Sequence, residues 1–360
     1  MKKSGKMCLP IFAPCWCKDR SEDCMVEVEI TRQMEGQRFD KWLKKYLPEA
    51  TSGFIYKMLR KKNIVLNDKK SDGTEKLFCG DRVKLFFSDQ TLEKFRGEKK
   101  EITLPGADSG KLEILYEDRD ILVVNKPVDM LSQKAHKDDI SMVEIIEAYL
   151  CEEQRLNNET EGQSAQAAGF KPGLCNRLDR NTSGILVAGK SMPGLQTMNR
   201  LFKERKLRKY YICIVKGKIR KPERIDGYLT KQESHNRVTI RQEETPGASY
   251  IQTEYEPLAT AEKDGGEYTL LKVHLITGKS HQIRAHLKSI GHPIVGDGKY
   301  GHKDTYQYFK KQYHLTHQLL HGWRLELGEI EGELAHLSGR TFEAPLPQQF
   351  AAIRKDIFGM

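Results

Sequence analysis

Residues 89 to 111 place the strongest constraint on how this chain can fold. The stretch is charged, lacks hydrophobic periodicity and is broken by Pro105, Gly106 and Gly110. No packed core can run through such a segment, so it reads as a linker, and the chain is expected to build two domains. A small α+β module is expected over residues 25–88. It has a strand over Val26 to Ile30 and a helix carrying Phe39, Trp42, Leu43 and Tyr46 at helical spacing. A second helix over Ser52 to Lys61 follows, then short strands at Ile64 to Leu66 and Val83 to Phe87.

The larger domain is expected over residues 112–350, with a tail over 351–360. Its strands read at Ile121 to Asn125, Gly184 to Ala188, Tyr210 to Val215 and Tyr268 to Ile276. Helices read at Met142 to Tyr149, Pro193 to Arg205 and His281 to Ile290, the last with Ser280 as N-cap and Gly291 as its stop. Strands and helices mix without regular βαβ alternation, which predicts an α+β fold. Glu152 to Ala168 is polar and reads as a surface loop.

Charge narrows the partner. The 360 residues carry a formal net charge of +10. Residues 51 to 100 hold thirteen Lys and Arg against seven acids, and residues 200 to 220 hold nine basic residues against Glu204 alone. Two separated basic stretches form an extended surface for a polyanion, or two solvated charged faces. No apolar run approaches the roughly 20 residues that span a bilayer, so no membrane partner is expected. Cys79, Cys151, Cys175 and Cys213 are scattered singly, which fits a reduced, cytoplasmic protein. Cys8, Cys15, Cys17 and Cys24 follow no zinc-ligand spacing, and the residues before Met25 read as a tail or as sequence ahead of the true start.

Other chemistries lack their signatures. The histidines from His274 to His321 offer no clear three-ligand set, so no metal is assigned. No glycine-rich loop cradles a phosphate, and no cofactor is expected. Ser183 with a remote histidine lacks the Gly-x-Ser-x-Gly elbow of a hydrolase. What stands out is Asn176-Arg177-Leu178-Asp179-Arg180-Asn181-Thr182-Ser183-Gly184, a turn-forming run before a strand. A carboxylate between Arg177 and Arg180 suits a nucleophile better than a general acid. On pattern alone, an Asx-turn to Asn181 or Thr182 is the commoner use of such an aspartate.

This run resembles the signature of RluA-type pseudouridine synthases, whose aspartate is catalytic, with Asn176 where many members have His. Two further segments are similar to the same family, in the same order. One is Ile121-Leu122-Val123-Val124-Asn125-Lys126-Pro127. The other is Thr277-Gly278-Lys279-Ser280-His281-Gln282-Ile283-Arg284, followed by Gly291-His292-Pro293-Ile294-Val295-Gly296-Asp297. Gly36 to Leu43 and Arg60 to Asn67 resemble an S4-like RNA-binding module, which makes the chain similar to the RluC and RluD branch.

The resemblance implies a mixed, mainly antiparallel β-sheet catalytic domain behind the S4-like module, and an isomerase that turns uridine into pseudouridine by base flipping. It implies Asp179 as nucleophile, Arg284 as the arginine that pairs with it, and Tyr211 as the active-site tyrosine of a Lys-x-Tyr strand. Read from the residues alone, Arg284 is equally a surface position beside an apolar stripe, and Tyr210 and Tyr211 could both pack in the sheet. Asn176, Arg177, Thr182 and Gln282 are expected near the substrate, and Arg38, Arg60, Lys61 and Lys62 on RNA. The implied substrate is structured RNA, foremost the 23S RNA of the large ribosomal subunit, handled by a monomer.

Overall fold

The computed structural model describes residues 25–96, 112–136, 138–150, 170–232 and 237–360, with the side chains of 231, 232 and 237 excepted. The expectations for the first 24 residues, for 97–111 and for the loop over 152–168 lie outside the described residues. Two compact units emerge, one over residues 25–96 and one over the described residues from 112 onward apart from Phe170.

The small unit runs β1 (Met25–Glu29), α1 (Phe39–Tyr46), α2 (Ser52–Arg60), β2 (Ile64–Leu66), β3 (Arg82–Phe86) and α3 (Asp89–Arg96). The strands form an antiparallel sheet in the order β1-β3-β2. The apolar stripe of α1 buries Phe39, Trp42, Leu43 and Tyr46, with the Trp42 and Tyr46 rings stacked 4.9 Å apart. Thr51 caps α2 by accepting from the Phe54 N–H at 3.2 Å. α3 corrects the expectation that the linker begins at 89. Leu92 is buried, and Phe95 packs 4.4 Å from the Phe54 ring, so two apolar residues at i, i+3 hold one more helix on this core.

The large unit contains β4 (Ile114–Glu117), β5 (Ile121–Lys126), α4 (142–150), β6 (Gly173–Leu174), β7 (Ser183–Gly189), α5 (Met192–Glu204) and β8 (Leu207–Lys216). β9 (Glu223–Gln232), β10 (Arg237–Arg241), β11 (Ser249–Lys263), β12 (Gly266–Leu275), α6 (Gln282–Ser289) and α7 (Lys303–Tyr313) follow, then β13 (Leu320–Leu327), β14 (Thr341–Glu343) and α8 (Gln348–Phe358). The described strands form one sheet in the order β10-β9-β11-β12-β8-β13-β7-β5-β4, with β14 on β13 and β6 on β7. Every pairing is antiparallel except β13 with β7. This is the mixed, mainly antiparallel α+β architecture expected from the sequence.

Both faces of the central strands are covered, which explains their unbroken apolar runs. On β8, Tyr211, Cys213 and Val215 join Ile145 and Ile146 of α4 and Ile283 and Leu287 of α6 in one core. Ile212 and Ile214 point the other way, into a core shared with Phe309 of α7 and Phe350, Ile353 and Ile357 of α8. α8 therefore corrects the expected tail: its apolar residues recur at i, i+3, i+7 and close the sheet's second face. Gly359, at φ 73°, ends it.

The parallel contact between β7 and β13 sets the geometry beneath the signature loop. Gly184 has φ 120°, and a Cβ there would lie 2.2 Å from the Gly322 carbonyl oxygen. Just before it, the buried Ser183 hydroxyl lies 2.8 Å from His321 Nδ1, and His321 Nε2 lies 3.1 Å from the Ala344 carbonyl. Since a carbonyl only accepts, Nε2 carries the proton and Nδ1 accepts from Ser183. Burial pushes the His321 pKa down to about 4, against an upward pull from the Ala344 bond.

Gly184→Ala should lower the unfolding free energy by about 2 kcal/mol or more, through both strain and overlap. Urea denaturation measures it, and an unchanged midpoint would disprove the close approach as a constraint. His321 makes stability pH-dependent. An unfolded histidine takes up its proton near pH 6.5, well above the folded value. Stability is thus fully present above about pH 6.5 and declines as pH falls toward 4, by roughly 3 kcal/mol from this group. Denaturation curves across that window should show the decline, and His321→Asn should flatten it.

Candidate active site

The signature loop is tied down on every side, which leaves its aspartate side chain free to project. Asn176 spends its amide on β7, donating to the Ile185 carbonyl at 3.0 Å and accepting from the Val187 N–H at 2.9 Å. Ser132, itself buried, accepts from the Leu178 N–H at 3.0 Å and donates to the Leu178 carbonyl at 2.8 Å. Gln318 donates to the buried Thr182 hydroxyl at 3.0 Å. Lys126, fully buried at the end of β5, donates to the carbonyls of Pro127, Met130 and Arg180 at 2.7, 2.8 and 2.9 Å. Burial pulls its pKa down to about 7 against the attraction of Asp179 and Asp129. Three carbonyl acceptors nonetheless engage all three N–H groups of an ammonium, and the cation is the form this geometry holds.

Asp179 does turn the chain, but with its backbone: its carbonyl accepts from the Thr182 N–H at 3.0 Å. Its carboxylate goes to Arg284 instead, whose Nη1 donates to Oδ2 at 2.9 Å. The rest of the guanidinium is fixed from behind. Nε and Nη2 donate to the two oxygens of Asp297 at 2.7 and 2.9 Å, and the Tyr300 ring lies 5.1 Å from the guanidinium carbon. Burial by itself would lower the Arg284 pKa, but the bonds and charges of Asp297, then of Asp179, carry it above its ordinary value. Asp297 is buried too, which alone would raise its pKa. The Arg284 pair, with backbone N–H donors from Tyr300 and Lys299, outweighs burial and lowers it.

Arg284 is thus a buried hub, not a surface residue beside an apolar stripe. Asp297 closes a family-like segment but is given no role from sequence, and Tyr300 lies beyond that segment. The signal was the Gly296-Asp297 pair: Gly296 has φ 76°, and a Cβ there would meet the His317 carbonyl at 2.1 Å. His281 was likewise missed as a site residue. It replaces Ser280 as N-cap of α6, in a left-handed conformation with φ 58°. Its Nδ1 lies 3.0 Å from the Tyr300 hydroxyl and its Nε2 3.9 Å from Asp179 Oδ2.

These groups open onto a cleft of about 1220 Å³. Tyr211 lines it from β8; burial first, then the Asp179 charge, push its phenol well above the ordinary tyrosine value. Tyr210, one residue earlier, faces the opposite side of the sheet, where it stacks 5.0 Å from His274. Among the lining side chains are Lys134, Arg177, Arg180, Arg205, Lys209, Lys279, Arg284 and Lys299, and one carboxylate, Asp179. Such a cleft attracts a polyanion and repels cations. Lys209 is half-buried there, and its burial, aided by Arg205, lowers its pKa to about 8.

The remaining predicted residues divide. Arg177 is exposed on the cleft, whereas Gln282 is buried and donates to the Gln252 carbonyl and the Thr253 hydroxyl at 2.9 and 3.0 Å. Asn176, Thr182 and Gln282 line the cleft with their polar atoms engaged by the protein. In the small unit Arg60, Lys61 and Lys62 are exposed at the end of α2, and Arg38 forks onto Asp40 at 3.0 and 3.1 Å. Ser183 and His321, the pair considered for hydrolysis, do meet, but buried below the loop.

Residues 120–289, which include the loop, β8 and α6, match the RNA pseudouridylate synthase family. An uncharacterized RNA pseudouridine synthase of Aquifex aeolicus is 31% identical over 281 residues, covering 77% of this chain and 81% of that protein. One from Mycoplasma genitalium is 28% identical over 84% of this chain and 89% of its own length. Ribosomal large subunit pseudouridine synthase C of Vibrio vulnificus is 29% identical over 82% of this chain and 85% of its length. With an aspartate held by a buried arginine in a cationic cleft, and with this similarity over most of its length, the chain belongs to the RNA pseudouridylate synthase family and is an RNA pseudouridine synthase.

Proposed function

We propose that Asp179 is the nucleophile of this synthase and that its substrate is large-subunit ribosomal RNA. The observation that carries the first part is the Arg284 fork, which aims a lone carboxylate into a cleft otherwise lined by cations. A target uridine flipped out of folded RNA would place its ribose against Asp179. The carboxylate then helps break the bond from C1′ to N1, either by attack at the ribose or through an elimination intermediate. The freed uracil rotates, C5 bonds to C1′, and the proton lost from C5 is matched by one taken up at N1. Atoms balance without a cofactor. Tyr211 keeps its phenolic proton at neutral pH, which favours a role as stacking surface and hydrogen-bond donor over that of a base.

Support for ribosomal RNA comes from relatives whose names specify the large ribosomal subunit, from Vibrio vulnificus and Borreliella burgdorferi. We place the chain with the RluC and RluD branch of the RluA-type enzymes. Its small unit would be the S4-like module, gripping RNA phosphates through Arg60, Lys61 and Lys62. Arg38, already paired with Asp40, contributes less. Arg177 would contact the substrate directly, and Asn176, Thr182 and Gln282 would act by holding the walls of the cleft. A cytoplasmic monomer acting on 23S RNA fits this reading.

Asp179→Asn should reduce tritium release from RNA labelled at uridine C5 by roughly 10⁴ or more, with the fold intact. Wild-type release rates from this variant would sink the assignment. Asp297→Asn tests the hub. An amide presents an N–H₂ toward one guanidinium N–H, so Arg284 loses its aim; turnover should fall about 10- to 100-fold while RNA affinity, measured by filter binding, stays within about threefold. Equal losses in both would refute a role confined to aiming Arg284.

A further inference from the structure

His281 holds a side chain that the reaction, as derived so far, does not use. Its backbone sits at φ 58°, ψ 11°, a left-handed conformation uncommon outside glycine, although histidine enters it more readily than most residues. Strain of this kind persists where surrounding structure imposes it, and it gathers at functional sites. Here Tyr300 imposes it: the His281 ring meets the Tyr300 ring edge to face at 5.6 Å, and Nδ1 lies 3.0 Å from the hydroxyl.

The network also assigns the tautomer. The Tyr300 oxygen already accepts from the Val238 N–H at 2.9 Å, so its own proton is free to point at His281 Nδ1. The single proton of a neutral imidazole then sits on Nε2. That atom faces Asp179 Oδ2 across 3.9 Å, too far for a hydrogen bond. Burial lowers the His281 pKa against the pull of Asp179, and Arg284 and Lys299 lower it further, so the ring is neutral at neutral pH. An N–H lining the cleft beside the nucleophile, with no acceptor of its own among the described residues, is built for a ligand oxygen.

We propose that His281 Nε2–H receives the ribose 2′-hydroxyl of the target uridine and so makes the enzyme selective for RNA over DNA at the reacting nucleotide. When Oδ2 of Asp179 approaches C1′ at about 3–3.5 Å, the 2′-oxygen, two bonds from C1′, falls within about 3–4 Å of that same carboxylate oxygen. Nε2 lies 3.9 Å from the same oxygen, near enough for the 2′-oxygen to come within hydrogen-bond reach of it. The 2′-hydroxyl is the group that distinguishes the two nucleic acids at a given site. His281 would be a specificity residue, and the inference rests on Asp179 being the group that meets the ribose.

The test uses the full chain and an RNA fragment containing a uridine that the wild-type enzyme converts, ligated with either uridine or 2′-deoxyuridine at that one position. His281→Gly removes the side chain without backbone strain, because glycine accepts positive φ; His281→Asn also tolerates it and restores a donor. Wild type should prefer the ribo substrate by about tenfold or more in kcat/KM. His281→Gly should slow the ribo substrate and leave the deoxy substrate within about twofold, so that the preference collapses, and His281→Asn should recover part of it. Equal slowing on both substrates, or a wild type that ignores the 2′-hydroxyl, would overturn the proposal. Asp179→Asn is run alongside: inactivity on both substrates keeps the nucleophile reading whatever His281 does, and retained activity overturns that reading separately.

Discussion

A guanidinium with almost no access to water has to be surrounded by acceptors, and in this protein the acceptors chosen for Arg284 define the site. Asp297 takes two of its N–H groups from behind, Asp179 takes one from the cleft, and the Tyr300 ring covers a face. Removing Asp297 or Arg284 would strand the other's charge in a poorly solvated place, a penalty of about 3–5 kcal/mol in buried pairs. That cost is what makes the arrangement rigid. A carboxylate held by one arginine is oriented; a carboxylate held by an arginine that is itself held is confined more closely, which suits the proposed attack at the ribose.

The loop carrying Asp179 is restrained by the same logic applied to neutral groups. Its backbone carbonyls and N–H groups are met by Ser132, Lys126 and its own Thr182, and Asn176 secures it to β7. Ser132 and Lys126 reach the loop from 46 and 54 residues earlier in the chain. The sheet then supplies the floor, because two buried faces force β8 to alternate its side chains, sending Tyr211 into the cleft and Tyr210 away from it. A family resemblance could only favour Tyr211 by register; the pleat supplies the physical reason.

Several features were open to reading because their causes are local. The helical stripe of Phe39, Trp42, Leu43 and Tyr46, the β-branched runs of β5, β7 and β8, and the turn residues around Asp179 depend on near neighbours in the chain. α8 was equally legible, since Phe350, Ile353 and Ile357 recur at helical spacing, and reading residues 351–360 as a tail underused the pattern. α3 was harder. Leu92 and Phe95 look like stray apolar residues in charged sequence until Phe54, some forty positions earlier, gives Phe95 a surface to cover.

By itself the sequence determined the α+β class, the helical and strand periodicities, and the presence of an aspartate on a turn beside two arginines. Tertiary structure decided which atoms of that turn do what. Asp179 bends the chain with its carbonyl and leaves its carboxylate to Arg284, 105 residues away in sequence. Asp297, Tyr300 and His281 joined the site only in space. Ion pairs and buried hydrogen bonds act over a few ångströms between groups that the chain separates by 13 residues (Arg284 and Asp297), 19 (His281 and Tyr300) or 105 (Asp179 and Arg284), and no helix or strand period encodes such a meeting.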